Sequence, residues 1–124
     1  MEDTSSNSTA LHNQIVANSI FTRRQIAIIL NLQKGGAKPP NISSGAYYRQ
    51  VKQCKKKVNS LLYSVILLQS IGIVKPDTSM VLSRLAEQLS VILSTDSSSD
   101  VTLKPNEKDV MFVINEVLKR VSIL

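Results

Sequence analysis

The strongest constraint on the fold is a long helical repeat of apolar residues in the middle of the chain. Apolar side chains recur there at steps of four and three, at Tyr47, Val51, Cys54, Val58, Leu61, Val65 and Leu68. This spacing places all of them on one side of an α-helix. We therefore predict a long helix that is capped by Ser43 or Ser44.

The two halves of this helix differ in the residues that they carry opposite the apolar stripe. In the first half, Arg49, Lys52, Gln53 and Lys56 fall on the opposite side. The second half, LLYSVILLQ, is apolar on most sides, so we expect it to be buried. The apolar run 61–74 is too short and too interrupted to span a bilayer, which needs about 20 apolar residues.

Local signals predict further helices on both sides of the long one. Thr22 and Gln25 form a capping box, and Gly35-Gly36 provides a left-handed end, so a helix is expected over 21–34. A short helix is expected over 9–18. The last helix follows Asn106. We thus expect a leader at 1–8, a domain at 9–94, a flexible loop at 95–104 and a C-terminal helix at 105–124.

Residues 71–82 allow two interpretations. Ile71, Ile73 and Val74 favour a strand, and KPDTS has turn chemistry, which together predict a β-hairpin of 71–75 with 79–82. A helix would then begin at Ser83. In the alternative, 78–93 is one helix capped by Asp77 or Thr78, and no hairpin forms.

The charge is unevenly distributed along the chain. From Thr4 to Pro76 there are ten basic residues and no acidic one, whereas Asp77 to Leu124 carries five basic and seven acidic residues. The net charge is +6. A basic first part joined to a mildly acidic second part indicates a nucleic-acid binder with a separate dimerisation or partner element. The alternative is a solvated basic face that has no partner.

The composition argues against a metal site and against catalysis. One cysteine and one histidine exclude an internal disulfide and any Cys/His metal cluster. No nucleophile has a base beside it, and no phosphate-binding loop is present. We therefore expect neither an enzyme nor a cofactor. The first ten residues lack the features of a signal peptide, so a cytoplasmic protein is expected.

Three segments carry a resemblance to a known family: FTRRQIAIIL (21–30), ISSGAYYRQVKQCKKKV (42–58) and LLQSIGIVKPDTSMVLSRLAEQL (67–89). They resemble the winged helix-turn-helix regulators of bacteria and archaea, of the MarR-like kind. The resemblance implies a mainly α fold with a two-stranded β-hairpin wing and a C-terminal dimerisation helix. The chain departs from the family where two prolines leave little room for the short helix before the recognition helix.

The resemblance also implies a set of DNA contacts. Tyr48, Arg49, Lys52 and Gln53 would face the major groove, where Arg49 suits guanine and Gln53 suits adenine. The residues implied to hold phosphates are Arg23, Arg24, Ser43, Ser44, Lys55, Lys56 and Lys57. Lys75 would be a wing contact.

The last helix is very apolar, so it either docks over the domain or pairs with a second copy. In the second case it would join two copies, with recognition helices about one DNA turn apart. The dimer interface would consist of Val110, Ile114, Val117, Val121 and Leu124.

The expected function is therefore sequence-specific binding of double-stranded DNA by a homodimer that regulates transcription. Three alternatives remain. The first is a winged-helix module that binds another protein, and the second is a non-specific binder of chromatin or RNA. The third is a basic amphipathic helix on an anionic membrane. The unbroken continuation of this helix into a core-like segment argues against the third, so no membrane partner is expected. No residue pattern assigns a small-molecule effector.

Overall fold

The computed structural model describes residues 10–95 and 105–124, with side-chain surroundings for 10–93 and 107–124. These ranges form five α-helices: α1 Ala10–Ala17, α2 Arg23–Gln33, α3 Ser44–Ser70, α4 Thr78–Thr95 and α5 Pro105–Val121. The prediction of a mainly helical fold is confirmed. The predicted leader at 1–8 and positions 96–104 of the predicted loop lie outside the described residues.

Helices α2 and α3 begin at the capping residues that the sequence indicates. Thr22 Oγ1 accepts a hydrogen bond from the backbone N–H of Gln25 at 3.1 Å, and Gln25 Oε1 accepts one from the Thr22 N–H at 2.9 Å. The predicted capping box is thereby confirmed. Ser43 caps α3, because its Oγ accepts a hydrogen bond from the backbone N–H of Ala46 at 3.2 Å.

Two glycines end α2 and α3 in the same way. Gly35 has a φ of 70° and Gly72 a φ of 84°, a backbone conformation that other residues rarely adopt. After α2, the Gly36 N–H donates to the Asn31 carbonyl at 3.0 Å; after α3, the Ile73 N–H donates to the Leu68 carbonyl at 2.9 Å. These bonds satisfy carbonyls that a helix end otherwise leaves open.

The chain forms two compact units, and the first consists of residues 15–63. Its core contains Ile28, Tyr47, Val51 and Cys54, with Ile29 and Ile42 packed against them. Asn31 Nδ2 donates to the hydroxyl oxygen of Tyr47 at 3.0 Å and to the Ala37 carbonyl at 3.2 Å. One side chain of α2 therefore holds both α3 and the segment that connects the two helices.

The second unit consists of residues 1–14 and 64–124, and the predicted β-hairpin wing within it is wrong. The described part of this unit contains no strand, since residues 71–73 form a turn and α4 begins at Thr78. Val74 forms an isolated antiparallel bridge with Ser122. The Lys75 N–H donates to the Val121 carbonyl at 3.1 Å beside this bridge. The alternative of one helix from Thr78 is confirmed.

Helical periodicity explains why the hairpin does not form. Val81, Leu85, Leu89 and Ile92 follow one another at steps of four, four and three, and all four are half-buried. Met80 is exposed on another side of the helix. Burial of one whole side of a helix stabilises the chain more than the strand preference of a few apolar residues does.

The prediction that the second half of α3 is buried is wrong for the single chain. Leu62, Tyr63, Ile66 and Leu67 are each more than half exposed. Their spacing places all four on one side of the helix. On another side, Leu68 and Gln69 are half-buried. A helix that is apolar on most sides needs neighbours on each of them, and in the described chain these four side chains have none that covers them.

Candidate nucleic-acid interface

The first unit is strongly basic. Residues 15–63 carry nine Lys and Arg and no Asp or Glu, whereas residues 1–14 and 64–124 carry six basic and nine acidic residues. Because the first unit lacks carboxylates, no side-chain ion pair can form within it. Its positive charge is available to solvent ions or to an anionic ligand.

The outer side of the first half of α3 presents most of the residues predicted to contact DNA. The basic face consists of Tyr48, Arg49, Lys52, Gln53, Lys55 and Lys56, all of them exposed. The opposite side of the same turns carries the buried Tyr47, Val51 and Cys54. Tyr48 is 71% exposed, with its ring edge-on to that of Tyr47 at 6.3 Å between centroids. The structure therefore brings six of the predicted contacts onto one surface.

Lys57 is not part of the basic face, although the resemblance implies that it holds a phosphate. Its Nζ donates to the Ile20 carbonyl at 2.6 Å and to Gln25 Oε1 at 2.8 Å. The ammonium also lies 5.9 Å from the centroid of the Phe21 ring. The helical spacing does not by itself separate Lys57 from Lys55, because Lys57 follows the buried Cys54 by three residues and Lys55 follows the buried Val51 by four.

The connection between α2 and α3 is held by its own polar groups. Lys38 Nζ donates to the Pro39 carbonyl at 3.1 Å and to the Ile42 carbonyl at 2.8 Å. The Ser43 hydroxyl is engaged in capping α3, whereas Ser44 is exposed. Of the two serines predicted to hold phosphate, Ser43 thus already has a structural partner.

Arg23 and Arg24 lie exposed in the first turn of α2, where no acidic residue accompanies them. Cations at a helix N-terminus oppose the helix dipole by about 0.3–1 kcal/mol, and a bound anion offsets that cost. Lys75 lies in the second unit, in the turn before α4. Because no wing carries it, the reason for placing Lys75 against DNA no longer holds.

Cys54 is a structural thiol in the core of the first unit. The residue is 1% exposed, and its Sγ donates to the Gln25 carbonyl at 3.7 Å. Burial raises the pKa of the Cys54 thiol, and the positive charge of Lys57 lowers it in part. The neutral thiol is therefore the stable form at neutral pH, which does not favour a nucleophilic role.

The predicted dimer stripe of α5 lies only partly at the surface. Val110, Ile114, Val117 and Val121 are half-buried, and Leu124 is 93% exposed. Val110 and Ile114 line an apolar pocket together with Leu85, Leu89 and Ile92 of α4. The exposed apolar residues of α5 and the chain end are Phe112, Val113, Leu118, Ile123 and Leu124.

Among the described residues, no group of three or more His, Cys, Asp or Glu is placed to hold a metal ion. None of the five described helices has the length and apolarity needed to cross a membrane. Comparisons of this chain with protein-family models, with curated proteins and with solved structures give no match.

Proposed function

We propose that this protein binds double-stranded DNA through the basic face of α3 and regulates transcription as a homodimer. The observation that carries the proposal is an exposed basic face in a unit that contains no carboxylate. A phosphate backbone is the polyanion that such a surface complements, and the release of its counterions drives binding.

The dimensions of α3 support the major groove as the place of contact. A helix with its side chains is about 10–12 Å wide, and the major groove is about 12 Å wide. Arg49 and Lys56 are about 10 Å apart along the helix axis, a length of about three base pairs. In this arrangement Arg49 donates to guanine and Gln53 pairs with adenine, while Lys52, Lys55 and Lys56 hold phosphates.

The proposal rests on α3 and not on a winged helix-turn-helix. The connection between α2 and α3 covers residues 34–43, which is longer than the turn of three or four residues in a helix-turn-helix. Arg23 and Arg24 add two further cations from α2. RNA recognition by base stacking is less favoured, because Tyr47 is buried and cannot stack on a base beside Tyr48.

The test is a titration of random duplex DNA over a series of salt concentrations, followed by selection of a preferred sequence. We expect affinity to fall steeply with salt. Replacing Lys52 and Lys55 together by Ala should lower the slope of log K against log salt by about 1.8, because two phosphate contacts are lost. The control replaces Lys119 and Arg120 of α5, which removes the same charge from exposed positions of the second unit.

Equal slopes for the two double variants would overturn the assignment of the basic face. No binding of duplex DNA at low salt would overturn the proposed function. Gln53→Ala separates specific from non-specific binding: it should change the selected sequence while leaving the affinity for random DNA within about twofold, because amide contacts to bases carry sequence choice and little of the salt-dependent energy.

A further inference from the structure

The exposed side of α3 is basic in the first half of the helix and apolar in the second half. Lys52, Asn59 and Ile66 are separated by seven residues, close to two helical turns, so they lie on one line. All three are exposed. The basic face of the first half thus continues directly into the apolar face of the second half, which consists of Leu62, Tyr63, Ile66 and Leu67.

We propose that a second copy of this chain docks on the apolar face, with the two α3 helices antiparallel. A fully exposed large side chain has about 200 Å² of accessible surface. With the exposed fractions of the apolar face and of its flanking residues Leu61 and Val65, the uncovered apolar surface is on the order of 600 Å². The largest apolar patch of a monomer is about 300–600 Å², and each partner of a standard interface buries about 800 Å². The surface is thus close to what a stable dimer needs.

The distribution of charge favours a second copy as the occupant. No charged residue occurs between Lys57 and Lys75, so two such segments meet without burying a charge. A twofold interface needs a patch that is complementary to itself. An uncharged apolar helix side meets this condition, because Tyr63 of one copy lies opposite Ile66 of the other, and Leu62 opposite Leu67.

Charge also sets the direction of the two helices. In a parallel pair, the basic faces would lie side by side, and like charges would repel at Arg49, Lys52 and Lys56. In the antiparallel pair, the lysines that precede the apolar face of one copy approach the end of α3 at Ser70 in the other. No charged side chain lies at that end of the helix, so the repulsion of the parallel pair is absent.

The first test is the mass of the full-length chain by sedimentation and light scattering over a range of concentrations. The test variant is Ile66→Glu, and the control is Ile123→Glu, since both isoleucines are 65% exposed. We expect the unchanged chain to dimerise. Ile66→Glu should raise the dissociation constant at least about 30-fold, the size typical of a central interface residue, while Ile123→Glu leaves it nearly unchanged. Circular dichroism of both variants checks that they are folded.

Three results would overturn this inference: a chain that stays monomeric at all concentrations, equal weakening by both substitutions, or weakening by Ile123→Glu alone. The last result would assign the dimer to the chain end beyond α5. The inference does not depend on DNA binding, because the apolar face contains none of the residues proposed to contact DNA. A dimer that binds no DNA would support this proposal and refute the other.

Disulfide cross-linking tests the antiparallel direction. Chains with Tyr63→Cys and chains with Ile66→Cys, mixed and oxidised, should form a mixed dimer faster than either variant cross-links with itself. Faster self-linking of Ile66→Cys would show a parallel pair and overturn the proposed direction. Cys54 is buried and stays in place in both variants.

Discussion

Lys56 and Lys57 are adjacent lysines with different surroundings: Lys57 donates hydrogen bonds within the first unit, and Lys56 lies on the exposed basic face. The same substitution at each position should therefore have different effects. Lys57→Met keeps the aliphatic stem and removes the ammonium that donates to the Ile20 carbonyl and to Gln25 Oε1. Lys56→Met makes the same chemical change on the exposed basic face. The first change should affect stability, and the second should affect DNA binding.

The magnitude follows from the two hydrogen bonds of Lys57. A bond that involves a charged group contributes about 1.5–3 kcal/mol where it is buried. Lys57 is half-buried, and water can reach part of the site, so we take the lower end of that range for the pair. Lys57→Met should therefore lower the free energy of unfolding by about 2 kcal/mol, and Lys56→Met by less than about 0.5 kcal/mol.

Denaturation in urea, followed by circular dichroism, measures this difference. With a slope of about 2 kcal/mol per molar urea, the midpoint of Lys57→Met should fall by about 1 M. The salt dependence of DNA binding should show the reverse order: Lys56→Met lowers the slope by about 0.9, and Lys57→Met leaves it unchanged. Equal midpoints for the two variants, or an equal loss of slope, would refute the structural role of Lys57.

Two further predictions concern the core of the first unit. Gly36→Ala should lower the free energy of unfolding by about 1–2 kcal/mol in the same assay, because the added Cβ would lie 2.5 Å from Asn31 Oδ1 and displace the amide that donates to Tyr47. An unchanged midpoint would show that Asn31 can move without loss. Since burial raises the folded-state pKa of Cys54 above 9.0, the unfolded chain ionises first as the pH rises. The contribution of the buried thiol to the free energy of unfolding should be complete below pH 9.0 and be lost as the pH rises through the folded-state pKa. A Cys54→Ala variant should lack this part of the decline in the free energy of unfolding with pH.

The features that the sequence predicted correctly are those that depend on nearby residues. Thr22 and Gln25 are three residues apart, and a capping box needs nothing else. The left-handed conformation of Gly35 follows from the end of the helix before it. Tyr47, Val51 and Cys54 form part of the core, because steps of three or four residues return to the same side of the helix.

The wrong predictions depend on a few neighbouring residues at places where a longer repeat or distant contacts decide the structure. Residues 79–82 favour a strand by themselves, but Val81 begins a helical repeat that reaches Ile92. Lys57 belongs to a run of three lysines, and its ammonium contacts Ile20 and Gln25, which lie more than thirty positions earlier in the chain. The exposure of the apolar face depends on which sides of α3 find neighbours, and one helix considered alone does not contain that information.

The bridge between Val74 and Ser122 also bears on the order in which parts of the chain can fold during synthesis. Its two residues are almost fifty positions apart. At a synthesis rate of about 5–20 residues per second, Ser122 is added about 2–10 s after Val74. The core of the first unit is complete within residues 28–54 and need not wait. During translation, the core of the first unit can therefore form several seconds before the bridge of the second unit can close.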